Sequence, residues 1–175
     1  NIYDRNGNLL AYNELAYSIT IEDNGSYSSD TKKNIALNAE IAQIITALEK
    51  NGDTITNEFR IDRESDGSYQ FNVTEGNTAW KRFLADVYGK NSYDNLSYNK
   101  KLGYDTSTAT AEQVMEYLSD RLYEIDETYE PEMAYKITVI RFAMAQNGYQ
   151  KYISTTIAEN VSEESVTYIS EHLSE

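Results

Sequence analysis

The sequence predicts an α+β fold, with a small sheet from strands near both chain ends and a mainly helical lobe between them. Three observations carry this. Period-two alternation is concentrated near the termini and in one internal hairpin, period-3.6 apolar stripes fill the middle, and the two patterns are segregated rather than interleaved. At 175 residues, 40% hydrophobic and 25% charged, the chain can bury the core of an ordinary domain.

Taken in order, Asp4-Arg5-Asn6-Gly7 reads as a tight hairpin turn. Asp and Asn bond their own backbone, and Asn-Gly suits positive φ angles. Leu9, Leu10 and Ala11 are expected to return toward a core. Tyr17, Ile19 and Ile21 alternate with polar residues as a strand with one buried face, and a polar Gly/Ser loop follows to Asp30. From Thr31 the period becomes helical, with Leu37, Ile41, Ile44, Ile45 and Leu48 on one stripe and Asn51-Gly52 as the stop.

Phe59, Ile61 and Arg63 alternate, Asp66-Gly67 turns, and Tyr69, Phe71 and Val73 alternate back, predicting a hairpin. Trp80, Phe83, Leu84 and Val87 predict a second helix, capped by Asn77 or Thr78 and ended by Gly89. Residues 90 to 108 lack periodicity and read as a long surface loop with room for a short helix. Thr110 to Gln113 has the form of a capping box, opening a third helix striped by Val114, Leu118, Leu122 and Ile125. Glu130-Pro131 opens a fourth, with Met133, Ile137, Ile140 and Met144 apolar and Asn147-Gly148 closing. Tyr149 to Ala158 reads as a strand, with Ile153, Thr155 and Ile157 on one side. Ser162 caps a last helix, stapled by Val161 and Val166.

The net charge of −14 disfavours phosphate backbones, so no nucleic-acid partner is expected. With no cysteine, disulfides and thiolate metal sites are excluded. No apolar run reaches the length of a membrane span. The chain opens inside what reads as a strand and hairpin, so a longer parent is expected.

The order Ile2-x-Asp4-Arg5-Asn6-Gly7-x-x-Leu10-Ala11, followed by Tyr17-Ser18-Ile19, resembles the opening of the extracytoplasmic pedestal of class B penicillin-binding proteins, in particular the elongation-type, penicillin-binding protein 2-like group. The run from Arg141 to Ser162 is similar to the end of the same pedestal: an arginine-bearing helix, a strand ending Ile157-Ala158, and a helix opened by Val161-Ser162. Ser154-Thr155-Thr156 stands where many relatives have proline and valine. Between the two ends the match is only in helical character. The resemblance implies one pedestal, or dimerisation, domain over residues 1 to 175, with an anchor part at about 1 to 30 and 149 to 175 and a head lobe at about 31 to 148. It further implies a membrane helix upstream, a penicillin-binding transpeptidase domain downstream, and a place on the outer face of a bacterial cytoplasmic membrane. The implied partners are a membrane glycan polymerase, scaffold proteins of the elongation complex, and a second copy of the chain.

No catalytic residue, metal site or cofactor is expected in this chain. Ser29-Asp30-Thr31-Lys32 and Ser97-Tyr98-Asn99-Lys100 fit the Ser-x-x-Lys of transpeptidases, but no Lys-Thr-Gly or Lys-Ser-Gly follows, so both read as loop serines. Asp62-x-Glu64-x-Asp66-Gly67 has the front of a calcium loop, yet its twelfth position is Val73 rather than Glu, which favours an ordinary turn. His172 is placed on the surface at a helix end. Arg141 lies beside an apolar stripe, and two readings stand: pairing with a carboxylate of the terminal sheet such as Asp4, or a snorkelling surface arginine. Trp80 and Phe83 are read as core, and Tyr93, Tyr98 and Tyr104 as surface candidates for partner contact. The alternative to a pedestal is a free-standing extracytoplasmic protein- or glycan-binding module; a small hydrolase lacks an evident acid/base pair.

Overall fold

A computed structural model describes residues 2, 3, 5, 6, 9–11, 16–147 and 153–173. Its helices form where the apolar stripes and caps direct. Helix α1 (Asp30–Lys50) starts at Ser29, whose side chain accepts from Lys32 N–H, and stops at Asn51, followed by Gly52 at φ 83°. Helix α2 (Thr78–Val87) is capped by Asn77, and α3 (Ala111–Glu116) by the reciprocal Thr110–Gln113 box. Helix α4 (Pro131–Gln146) has Pro131 in its first turn, and α5 (Glu163–His172) is capped by Ser162.

The strands form two-stranded antiparallel pairs. Strands β1 (Ile2–Tyr3) and β2 (Leu9–Ala11) make the opening hairpin. Strand β3 (Tyr17–Ile21) pairs with the distant β8 (Thr155–Val161), so strands from the two ends of the sequence meet. Strands β4 (Ile61–Arg63) and β5 (Tyr69–Phe71) form the internal hairpin around the Asp66-Gly67 turn. The stretch read as a long loop is instead ordered: a 3-10 turn at Tyr93–Asn95, a hairpin of β6 (Tyr98–Asn99) and β7 (Tyr104–Asp105), and a second 3-10 turn at Thr106–Thr108. Strands this short leave too few residues for a visible alternation.

Three further expectations are corrected. β8 runs to Val161 rather than ending at Ala158, and Ile153 is 46% exposed outside it. The register with β3 shifts twice, and Asn160 sits at φ 54°, so the polar Glu159-Asn160 pair is absorbed as a bulge instead of ending the strand. The third helix does not keep its stripe through Leu122. After α3 it continues as a π-helical stretch, Tyr117–Leu122, in which Tyr123 N–H donates to Leu118 O at 2.9 Å. The wider turn carries Tyr123 into the core and leaves Leu122 40% exposed.

Two cores result. One, the ring core, gathers Phe59, Ile61, Trp80, Phe83, Leu84, Val114, Leu118, Tyr123 and Tyr135 from β4 and the residues just before it, α2, α3 with its π-helical continuation and the residue after it, and α4. The other, the aliphatic core, gathers Ile19, Ile21, Ile41, Ile45, Leu48, Ile137, Ile140, Ile157 and Ile169 from β3, α1, α4, β8 and α5. Helix α1, expected to belong with the helical lobe, therefore packs with the terminal strands. Helix α4 serves both cores, presenting Tyr135 and Val139 to the first and Ile137 and Ile140 to the second. A helix apolar on two sides loses the one-sided stripe that marks a surface helix.

Candidate functional site

Between the two cores lies a buried polar cluster centred on Arg141. It is 6% exposed, which overturns the snorkelling reading. Its terminal nitrogens donate to Asn38 Oδ1 at 2.6 Å and Asn34 Oδ1 at 2.7 Å, so among the described residues its partners are neutral amides of α1 and no carboxylate of the terminal sheet. Asp4, the carboxylate proposed for it, lies outside the described residues. The guanidinium carbon sits 4.8 Å from the centroid of the Tyr123 ring, a cation–π contact that offsets part of the cost of burial. The pKa of Arg141 is depressed, chiefly by that burial, and the Tyr123 hydroxyl is pushed well above the usual tyrosine range for the same reason.

The amides are themselves held. Asn38 Nδ2 donates to Tyr123 O at 2.9 Å, and Asn34 Nδ2 donates to Leu122 O at 3.2 Å and to Glu124 Oε2 at 3.0 Å. The π-helical stretch turns the Leu122 and Tyr123 carbonyls toward α1, and Glu124 ends it at φ 47°. Spaced four residues apart, Asn34 and Asn38 share one face of α1, so one side of a single helix bridges Arg141 of α4 to the end of α3. Sequence reasoning missed both asparagines and Tyr123. The available signal was two buried-stripe positions of α1 carrying amides where an apolar residue would be expected.

A second missed cluster fixes α5. Asp53 accepts from Ser162 N–H, Ser162 Oγ and Ser165 Oγ, the hydroxyl contacts each at 2.6 Å. Asn51 Nδ2 also reaches Ser165 Oγ at 3.1 Å. The Ser162 and Ser165 hydroxyls hold the Asp53 carboxyl below its ordinary pKa.

The sequence-predicted surface residues separate. Tyr98 is 61% exposed on the β6–β7 hairpin, beside exposed Lys100 and Lys101. Tyr93 is half-buried, packed 5.8 Å from Trp80 and donating to Ser107 O, and Tyr104 is half-buried, donating to Gln113 O and bonded to Tyr88 Oη. Those two stiffen the hairpin's base, leaving Tyr98 as the most exposed ring of the three. Ile157 and Ala158 are fully buried in the aliphatic core. Arg5 and Asn6 lie in the exposed opening turn. Leu10 and Ala11 fall in β2, though their side chains lie outside the described residues, as do Asp4 and Gly7.

The short motifs find local partners. Ser29 caps α1, and Ser97 N–H is bonded to Thr106 Oγ1, so the two Ser-x-x-Lys serines serve a helix cap and a hairpin. Asp66 caps its own turn through Ser68, while Asp62 accepts from Asn72 Nδ2, as an Asp-Gly hairpin requires. His172 is exposed, stacked on Tyr168 at the end of α5.

The profile of the penicillin-binding protein dimerisation domain matches residues 1–175. The chain belongs to that family. No curated protein matches it in sequence. As a penicillin-binding protein dimerisation domain it is a non-catalytic module of proteins that work in peptidoglycan synthesis, and the family belongs to the cell envelope. No described helix is long and apolar enough to cross a membrane.

Proposed function

We propose that this dimerisation domain is the pedestal of a class B, elongation-type penicillin-binding protein. It holds a downstream D,D-transpeptidase domain at a set height above the outer face of the cytoplasmic membrane, to which an upstream helix ties it. The aliphatic core is the anchor part and the ring core the head lobe. The observation that carries this reading is the sharing of α4 by both cores, fastened by Arg141: such a link transmits orientation rather than acting as a hinge. A stiff arm between two enzymes couples them by favouring one relative orientation, which needs no chemistry in the arm.

The proposed partners are a membrane glycan polymerase of the shape, elongation, division and sporulation family and scaffold proteins of the elongation complex, met through the exposed Tyr98 hairpin. Homodimerisation is consistent with the family's description. The parent gene tests the reading. A single apolar helix upstream, with Ser-x-x-Lys, Ser-x-Asn and Lys-Thr-Gly in order downstream, upholds it. A stop codon directly after Glu175 overturns it.

A further inference from the structure

Beside the Arg141 clamp opens a cleft of about 430 Å³, within the size range of small-molecule sites. Its lining includes the apolar Leu37 and Met144, the guanidinium-bearing Arg141, Lys33 and Asp23, and Tyr123, whose hydroxyl is buried. Two independent features of that lining are unfinished. The first is charge. Arg141 is buried, its two side-chain hydrogen bonds among the described residues go to neutral amide oxygens, and none of the described ion pairs includes it. Asp23, the acidic group whose field reaches it, is already paired with Lys33. Buried charges are ordinarily paired, and a guanidinium has five N–H groups, of which these two bonds use two. The second is a hydroxyl. Tyr123 Oη is buried and has no hydrogen-bond partner among the described residues, although Tyr123 is only 4% exposed.

We propose that the cleft binds a small organic carboxylate with an apolar body, whose oxygens supply the counter-charge of Arg141 and the partner of the Tyr123 hydroxyl. The apolar body packs on Leu37 and Met144. With Asp23 and Lys33 paired, the unmatched charge on the cleft among the described residues is the single positive charge of Arg141, which favours a monovalent carboxylate over dianionic phosphate. A free acid and the C-terminus of a peptide share this chemistry. The site stands independently of the proposed pedestal role.

The test is titration of the 15N-labelled 175-residue chain with N-acetyl-leucine, with a hexapeptide ending in leucine, and with the amides of both. Saturable shifts around Leu37, Tyr123 and Met144 from either acid, absent with its amide, uphold the assignment. A response to N-acetyl-leucine identifies a free small molecule as a sufficient ligand, and a response to the peptide alone identifies a chain terminus. Tyr123→Phe is the discriminating variant. It removes an unpartnered hydroxyl and keeps the ring over Arg141, so it folds with an unchanged or raised Tm, while acid affinity falls about tenfold, as for one lost hydrogen bond. No saturation with either acid, equal shifts from the amides, or unaltered affinity in Tyr123→Phe overturns the site.

Discussion

In the ring core, Phe59 meets Phe83 and Phe142 edge to face at 5.3 Å, and Phe83 meets Phe142 at 5.4 Å and Phe71 at 6.3 Å. In the aliphatic core the buried members are Ile, Leu, Val and Ala, without an aromatic ring among them. The first is directional, because edge-to-face rings prefer defined angles as well as contact. It is also built largely from residues between Phe59 and Phe142. The second is shaped by volume alone and closes only when β3 meets β8, segments separated by more than a hundred residues. One protein thus contains a local core fixed by geometry and a non-local one fixed by filling, joined through α4. The difference shows why the join is polar: amides and a guanidinium have directional bonds that set how one core sits on the other.

The largest effect on this contrast is expected from paired truncations. Phe83→Ala should cost about 4 kcal/mol and Ile45→Ala about 3 kcal/mol, read from urea midpoints. The sharper version conserves volume: Ile45→Leu should cost less than about 1.5 kcal/mol, whereas Phe83→Leu should cost more because its ring contacts vanish. Equal costs for these two swaps would erase the distinction between the cores. Next comes Arg141→Leu, which strands the Asn34 and Asn38 oxygens. About 3 kcal/mol is expected, with probes in the two cores no longer melting together. A single coincident transition at unchanged Tm would show that the clamp does not join them.

A third test uses pH. The folded-state pKa of Asp53 is depressed, so its stabilisation is present above the unfolded-state value and is lost as pH falls through the folded-state value. Asp53→Asn should flatten that acid limb, with α5 as the reporting segment; an unchanged limb would remove Asp53 from the aliphatic side's account. The smallest effect is expected at Tyr98. Tyr98→Ala should shift stability by no more than about 0.5 kcal/mol, because the ring is exposed. A larger loss would place Tyr98 in the fold rather than on a contact surface.

Much of the fold was legible because helix caps and apolar stripes are local signals. Asn77, Thr110 and Ser162 cap where their spacing predicted, and the alternation of Tyr17, Ile19 and Ile21 marked β3, whereas Ser29, read as a loop serine, turns out to cap α1. What stayed hidden was set by distant partners. The π-helical stretch that displaces Leu122 and buries Tyr123 serves carbonyl contacts to α1, some ninety residues earlier in the chain. The Asn34–Asn38–Arg141 cluster joins residues more than a hundred apart, and Asp53 finds Ser162 at a similar distance. An arginine beside an apolar stripe announces burial or snorkelling, but nothing local reveals that its acceptors are amides. Short strands such as β6 and β7 fail for another reason: two residues show no period.

The antiparallel match of β3 with β8 also sets how the molecule answers a pull. Tyr17 lies opposite Val161, so segments entering before the one and leaving after the other are attached at the same end of the ladder. Tension between them peels the rungs apart one at a time instead of shearing all of them together. The first rung is weakened by the bulge at Asn160. Directly behind it, Ser162 is tied to Asp53 by backbone and hydroxyl, and Ser165 by a third bond. A load arriving from the α5 side therefore meets this carboxylate knot before it reaches the ladder.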